Sequence, residues 1–569
     1  MAGITISKKD LESLLKKTLS VDELGMLLHS VKGELKETNG DELKIDLDDT
    51  NRPDLLCVEG IAREIKNEKI RKNADVDTEE HGKTKYQIVV DEQIQNVRPY
   101  IGGFLVKGLS LTEGGLAQLI QTQEKLADNY GRNRKNISIG IYNAEEIIFP
   151  VSYKAVAPEE RKFVPLEFDS ELTLKEILEL HPKGKEYAYI LKDFSKYPLL
   201  EDSKGNVLSF PPIINSNSVG KVQAGNVNLF CDVTGNNIEQ VLLIVNIIAQ
   251  NLKDRGAEII PVEVKYPYDT IFGKNVVSPC EFKEEIKINK TDFEKLLGLQ
   301  LDAIKITEEL SKSGYEVEIS GEQFRIKPPS YRRDIMHSVD VIEDFAIRYG
   351  YNNFEPEELN EFTVGKTTLI DPVIQKLRKL MIGAGFEEIV SNILTSKNQM
   401  LGNVEPLESI IEIENPVSDT YSVLRNSIIP SLLSVESISS KSVYPHKIFE
   451  IGEVVVSDST VDYGTRTIVN LTALISYPEA SFSDLHSVLD ILLYYSIPDS
   501  KQSENGAYVS NLQKIEHPSF IKGRAANILV NNKIIGIVGE IHPQVLEDWK
   551  IRNPVVMFEL KDIEKIFVK

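Results

Sequence analysis

The sequence predicts a multidomain protein of mixed α+β class, and three observations carry that expectation. The chain has 569 residues, more than one ordinary domain accommodates. Its 41% hydrophobic and 27% charged residues are those of a folded chain with a sizeable core. Segments of helical period and segments of strand-like alternation are interleaved along nearly its whole length. Four pieces are expected: an N-terminal α/β module over residues 1–85, and an α+β domain over 86–272. A small helical-plus-strand module with an acidic helix follows over 273–356, then a C-terminal domain with an antiparallel sheet and helices over 357–569.

In the first piece, Leu11, Leu14 and Leu15, then Leu24, Leu27 and Leu28, recur at helical spacing. "LKIDLDD" alternates like a strand, and "NRPDLLCVEGIAREIKN" turns at Pro53 and runs into a helix. The polar stretch Lys66 to Lys85 reads as a linker. The second piece mixes strands ("YQIVVD", "IGGFLVKGL", "NISIGIYN", "EYAYIL", "VNLFCDV") with the helices "GGLAQLIQTQEKLADNYG" and "IEQVLLIVNIIAQNLKDRG". Gly102-Gly103 and Gly114-Gly115 lack a phosphate-loop lysine and read as turns. The third piece carries the helices "DFEKLLG" and "AIKITEELSKSGY". The last opens with the helix "IDPVIQKLRKLMIGAGF", closed at Gly385. Strand-like runs follow, from "EIVSNIL" and "IIEIEN" to "VVMFEL", joined by hairpin-length loops.

Composition excludes several classes. No apolar run of about 18 residues is present to span a bilayer, and "MAGITISKKDLESLL" turns charged too soon for a signal peptide. Three widely spaced cysteines, Cys57, Cys231 and Cys280, exclude a disulfide framework and a Cys-rich zinc site. These features predict a cytoplasmic location. The formal net charge of −22 argues against sequence-independent coating of nucleic acid, which draws its free energy from phosphate neutralisation.

Chemistry concentrates in two places. "SYRRDIMHSVDVIEDFAIRYGYNNF" carries Asp334, Asp340, Glu343 and Asp344. At 100° per residue from Asp340, Glu343 falls at about −60° and Asp344 at about +40°, on one helix face. Val339, Ile342, Phe345, Ala346 and Tyr349 lie opposite, as core. Such a face either holds a hard cation or is a solvated face whose acids complement the helix dipole. Ile347, at about −20° among the acids, points to a surface packed there. The second place is "LFCDVTGNN", an apolar strand ending in Asp232 and Thr234. An aspartic-protease reading needs two carboxylates, and only one copy exists; the bland alternative is a strand-to-turn transition. His517-Pro518 and His542-Pro543 read as turn formers.

"PPSYRRDIMHSVDVIEDFAIRYGYNN" resembles the signature of the phenylalanyl-tRNA synthetase beta subunit family, in its shorter archaeal and eukaryotic cytosolic form. The likeness continues through "NRPDLLCVEGIAREI", Thr122 to Leu126, Gly131 to Tyr142, "NPVSDTYSVLRNSIIPSLL" and "GRAANILVNNKIIGIVGEIHP". The resemblance implies that residues 86–272 form an editing domain that hydrolyses tRNA mischarged with tyrosine. Asp232 and Thr234 would then be its working residues, and Leu200 and Ser209 would line its pocket. It implies Mg²⁺ at Asp334, Asp340, Glu343 and Asp344, shared with an alpha subunit in a two-alpha, two-beta tetramer. It implies a class II synthetase-like C-terminal domain that makes no adenylate, since "IFEIGEVVV" and "GIVGEIHPQVLEDWKI" lack the ATP-clamping arginines. ATP and L-phenylalanine would be handled by the alpha subunit, and this chain would help dock tRNA(Phe). The basic loop "GRNRKN", with Arg132, Arg134 and Lys135, is a candidate for phosphate contact. Two alternatives stand beside this reading: a stand-alone hydrolase of mischarged tRNA, and a non-catalytic assembly scaffold.

Overall fold

The computed structural model describes residues 2–48, 51–66, 85–109, 112–359, 361–400, 410–497 and 511–568; most of the expected linker at 66–85 lies outside them. The chain forms two compact units, Met1–Glu357 and Glu358–Lys569, both of mixed α and β structure. Among the described residues no helix is long and apolar enough to cross a membrane.

In the first unit, a three-stranded sheet near the N-terminus packs with the helices Lys8–Leu15, Val21–Leu28 and Val58–Ile65. Ser20 and Glu23 close a reciprocal capping box on the second of these helices. Their apolar faces join a core that continues from Ile4 through the large sheet to Tyr331. The N-terminal segment and the second piece therefore share one interior. That large sheet has ten strands, ordered Ile214–Asn215, Val207–Phe210, Tyr197–Glu201, Val151–Val156, Gln87–Val90, Glu258–Lys265, Tyr100–Lys107, Leu229–Gly235 and Ile137–Asn143. Asn275–Ser278 pairs additionally with Glu258–Lys265.

The sheet curls until its ends meet. From the last strand Tyr142 donates to Ser209 on the second, 2.8 Å away, and the carbonyl of Ile141 accepts from Asn215 on the first. Arg134, just before the last strand, donates to the carbonyls of Pro212 and Ile213. The helix Ile238–Asp254, buried along most of its length, packs on the Tyr100–Lys107 and Leu229–Gly235 strands.

Three elements depart from the sequence expectation. "EYAYIL" is not a strand: Pro182–Tyr187 is helical, started by Pro182 and capped by His181 Nδ1, and a 3₁₀ turn over Ala188–Ile190 follows. Gly102 and Gly103 lie inside the Tyr100–Lys107 strand rather than in a turn, because the Ile238–Asp254 helix packs directly on it. A Cβ at Gly102 would meet Val245 at 3.0 Å. Gly114 and Gly115 open the helix Glu113–Lys125, with Thr112 as its cap.

The small third piece pairs Ile286–Asn289, Gln323–Lys327 and Glu316–Ser320 in one sheet, beneath the helices Lys290–Leu297, Ala303–Lys312 and Ser338–Tyr349. Phe293 meets Phe324 and Phe345 edge-on in its core.

The second unit is a seven-stranded sheet, antiparallel except where Glu387–Glu388 joins His446–Ser457. Strand alternation sorts its side chains. Leu471, Ala473, Ile475, Val556 and Phe558 pack under the helices Asp371–Gly383 and Phe482–Ser496. Leu474, Val555 and Met557 pack under Ile429–Ile438 and Pro543–Asp548. The expected strands "EIVSNIL" and "IIEIEN" shrink to two-residue pairings.

Candidate functional site

Where the ends of the large sheet meet lies a cavity of about 300 Å³. Leu116 and Leu119 from the Glu113–Lys125 helix and Ile139, Ile141 and Phe210 from the strands make much of its wall apolar. Its floor is polar. Asp232 lies there, 2% exposed, directly opposite Gly140 in register. Cross-strand partners project to the same face, so the missing side chain at 140 makes room for the carboxylate. A Cβ at that position would stand 2.4 Å from Asp232 Oδ1 and 2.1 Å from the Tyr142 hydroxyl.

Asp232 Oδ1 is buried without a hydrogen-bond donor. Burial pushes its carboxyl up to about 7, with the Tyr142 hydroxyl and the Arg98 charge pulling the other way. Tyr142 has one proton, here directed at Ser209 Oγ; a bond to Asp232 is the other orientation of the same O–H.

Arg98, fully buried beneath the strand, was not foreseen from the sequence. It donates to Thr234 Oγ1 at 2.9 Å, to the Thr234 carbonyl at 2.7 Å and to the carbonyl of Lys135 at 3.1 Å. Burial lowers its guanidinium to about 10, so it stays charged at neutral pH.

The structure thus divides the expected pocket residues. Asp232 and Ser209 are on the cavity wall. Thr234 is not: its hydroxyl is held between Arg98 and Ser138, with Ser138 Oγ at 2.9 Å. Leu200, opposite Ser209 in register, is wholly in the core. In the basic loop only Arg134 reaches the wall, tied to the two carbonyls above and stacked 4.4 Å over the Tyr187 ring. Arg132 and Lys135 are exposed off the wall. Lys183 and Lys221, which no sequence pattern marked, also border the cavity.

The acidic helix Ser338–Tyr349 differs more from expectation. Asp344 is buried and accepts from Tyr315 at 2.6 Å and from Arg332. Burial alone would raise its carboxyl, but the Arg332 and Arg52 charges hold it below the usual range. Asp334 is bonded to the same Arg332, by Nε at 3.0 Å. Asp340 caps its own helix, accepting from the backbone N–H groups of Met336 and His337. Glu343 pairs with Lys32 at 2.6 Å. Among the described residues no three His, Cys, Asp or Glu side chains are grouped to hold a metal ion. Within this chain the four carboxylates are therefore not assembled as one Mg²⁺ ligand set: Asp334 and Asp344 are bonded to Arg332, Asp340 to backbone N–H groups and Glu343 to Lys32. Ile347 borders Lys32, Arg52 and Leu55, so the surface on that face is the chain's own N-terminal segment. Val339, placed in the core by periodicity, is 45% exposed; Val341 is buried instead.

In the second unit, Arg425 is buried and donates to Glu450 (2.8 Å), Ser391 (2.7 Å) and the Glu453 carbonyl (2.9 Å). Glu559, also buried, accepts from Ser427, the Ile428 N–H, Asn470 and Thr472. Charged groups on this sheet are thus engaged by the protein. His517 and His542 accept from the N–H groups two residues on, as turn formers do.

Residues 359–561 match the family described as phenylalanyl tRNA synthetase beta chain CLM domain, and residues 286–351 match the tRNA synthetase B5 domain. The chain is 40% identical over 569 residues to a phenylalanine–tRNA ligase beta subunit of Borrelia recurrentis (strain A1), covering 98% of this chain and 99% of that one. It is 40% identical over 565 residues to one of Pyrococcus horikoshii, with the same coverage. Its structure is similar to an N-terminal fragment of the phenylalanyl-tRNA synthetase beta subunit from Pyrococcus horikoshii. That similarity has a TM-score of 0.57 and 42% identity, over 61% of this chain and 100% of the fragment.

The burial of Asp232 links to stability. With its folded value raised to about 7 against about 3.9 unfolded, the folded chain binds this proton more tightly. The resulting stability is fully present below about pH 4 and is lost as pH rises through about 7. Asp232→Asn, which carries no charge to desolvate, is expected to stabilise the first unit at pH 8 by up to roughly 4 kcal/mol and to change little at pH 4. Denaturant melts at the two pH values check this; equal effects at both would contradict it.

Proposed function

The chain belongs to the phenylalanyl-tRNA synthetase beta subunit family, and on that premise we propose that it pairs a partner-dependent role in tRNA charging with a hydrolytic site of its own. As a ligase subunit it works with an alpha subunit and tRNA. We assign formation of the phenylalanyl adenylate and its transfer to the alpha subunit. The C-terminal sheet is then a class II synthetase-like scaffold, in a two-alpha, two-beta assembly in the cytoplasm.

The hydrolytic site is the cavity over Asp232. Tyrosine and phenylalanine differ by one hydroxyl, and an apolar pocket rejects an added hydroxyl by only about 10²-fold. A second pocket can select what the first tolerates. The single observation carrying this reading is the donor-free Asp232 Oδ1 on the floor of an otherwise largely apolar cavity: a buried acceptor without a donor favours a ligand that brings one. A tyrosine phenol is such a ligand. In the hydrolysis, water adds to the ester carbonyl and the ribose oxygen leaves with a proton, giving free tyrosine and tRNA. Asp232 would accept the phenol, and Ser209 would share that polar floor. Thr234 would act indirectly, by fixing the strand through Arg98. Arg134, Lys183 and Lys221 at the cavity edge are suited to the terminal phosphates of the tRNA.

For the acidic helix we propose a narrower Mg²⁺ role than the four-carboxylate set. Half-buried Asp340 and exposed Glu343 lie on one helix face, and Mg²⁺ is commonly held by one or two carboxylates plus waters or a partner's groups. Asp334 and Asp344 serve the fold through Arg332.

Asp232→Ala in the assembled complex is expected to slow release of tyrosine from mischarged tRNA(Phe) by roughly 10- to 100-fold, the loss of one hydrogen bond to a charged group, while phenylalanine charging persists. Unchanged release would remove the editing site from this cavity. Asp340→Asn is expected to weaken Mg²⁺ binding by the complex or its association, read by calorimetry and native mass. No change in either would leave the helix with capping and packing alone.

A further inference from the structure

Tyr142 is buried, and its hydroxyl stands between Ser209 and Asp232. It donates to Ser209 Oγ at 2.8 Å, while its oxygen and Asp232 Oδ1 crowd the same point above Gly140. A phenol has one proton and so can satisfy only one of these two acceptors at a time. Ser209, by contrast, is both donor and acceptor and can reverse its bond to Tyr142. The three groups therefore form a relay with two settings. In one, Tyr142 donates to Ser209 and leaves Asp232 Oδ1 free to accept from the cavity. In the other, Ser209 donates to Tyr142, and Tyr142 donates to Asp232.

We propose that Tyr142 is a positioning residue of the hydrolytic site, whose single proton, shared between Ser209 and Asp232, sets how readily Asp232 accepts an incoming hydroxyl. This inference rests on the editing reading of the cavity and deepens it. It explains why an aromatic hydroxyl, rather than a phenylalanine ring, stands at the seam of the sheet: the bond to Ser209 ties two strands together and tunes a carboxylate in the same step. Gly140 is part of the device, since any side chain there would separate Tyr142 from Asp232.

The titratable and charged groups acting on Asp232 are Arg98, ahead of the Tyr100–Lys107 strand, Tyr142 on Ile137–Asn143, Tyr153 on Val151–Val156, and the adjacent Cys231. The cavity wall adds Glu124, Arg134, Glu167, Lys183 and Lys221. Of these, Tyr142 is the one whose proton the Ser209 side chain can redirect. Accepting a hydroxyl requires the ionised carboxylate, so hydrolysis rises with pH through the Asp232 midpoint.

The test uses the complex with an alpha subunit and tRNA(Phe) mischarged with tyrosine, with hydrolysis followed from about pH 5 to about pH 8.5. Tyr142→Phe removes a donor that favours the ionised form, and the profile is expected to move up by roughly half to one pH unit. Ser209→Ala leaves the Tyr142 proton to Asp232, and the profile is expected to move down by a similar amount. Below the midpoint these shifts read as a roughly three- to tenfold loss for the first variant and a gain for the second. A residue with only a packing role would not move the two profiles in opposite directions. Shifts of the same sign, or none, overturn the proposal. Phenylalanine charging reports assembly; if Tyr142→Phe fails to assemble, Ser209→Ala decides alone, a downward move supporting the relay and an unmoved profile overturning it. If the unmodified complex leaves the mischarged tRNA intact, the editing reading itself falls and the relay with it.

Discussion

Burying a carboxylate at the seam of a sheet is the constraint around which the first unit is arranged. A charge at that depth costs several kcal/mol unless its partners are in place. Here they are only partly supplied: Arg98 lies beneath and Tyr142 beside, and one oxygen has no donor. The surrounding chain accommodates this. Gly140 omits a side chain opposite Asp232. The curl of the sheet brings Ser209 from a distant strand to Tyr142, and Arg98 fixes the strand end through both the hydroxyl and the carbonyl of Thr234. A feature that strains the fold and points into a cavity is a mark of a site rather than of a scaffold.

A different economy governs the helix Ser338–Tyr349. There the buried carboxylate is fully met, by Arg332 and Tyr315. A neighbouring cluster joins Arg52 to Asp54 and Glu64, and Glu64 to Arg348. These bonds tie the N-terminal segment to the small third piece across more than 250 residues of sequence. Removing one partner of such a cluster leaves another buried charge uncompensated, which is far more destabilising than the intact cluster is stabilising. The acids of this helix therefore do different jobs. Buried Asp344 joins parts of one chain through Arg332 and Tyr315, half-buried Asp340 caps the helix, and exposed Glu343 pairs with Lys32.

Much of this was legible in the sequence, for physical reasons that differ from place to place. The Leu229–Gly235 and Ile238–Asp254 elements were readable because long apolar runs ending in Asp, Thr, Gly and Asn leave few alternatives. Family resemblance marked Asp232 and Ser209, and both are on the cavity wall. It also marked Thr234 and Leu200, which are not, because motif matching finds position in the chain and not the direction of a side chain. Arg98 and Tyr142 escaped notice because their role depends on strands distant in sequence coming together. Gly140 did leave a signal, a lone glycine within the alternating "NISIGIYN". In the acidic helix, four carboxylates within eleven residues look alike in sequence, while the structure separates them: Asp334 and Asp344 are bonded to Arg332 in the same segment, and Asp340 and Glu343 are not. Val339 shows the limit of periodicity: the helix begins only at Ser338, and a residue in its first turn is not yet covered by the core.

The central claim is that this chain completes a charging enzyme whose adenylate chemistry lies in its partner. It is tested most directly by measuring phenylalanine attachment to tRNA(Phe) with this chain alone and then mixed with an alpha subunit. Charging in the mixture and none from the chain alone is the predicted result. Charging by the chain alone would contradict the account, and would mean that the C-terminal sheet, with Arg425 and Glu559 engaged by their neighbours, nevertheless binds ATP and activates the amino acid.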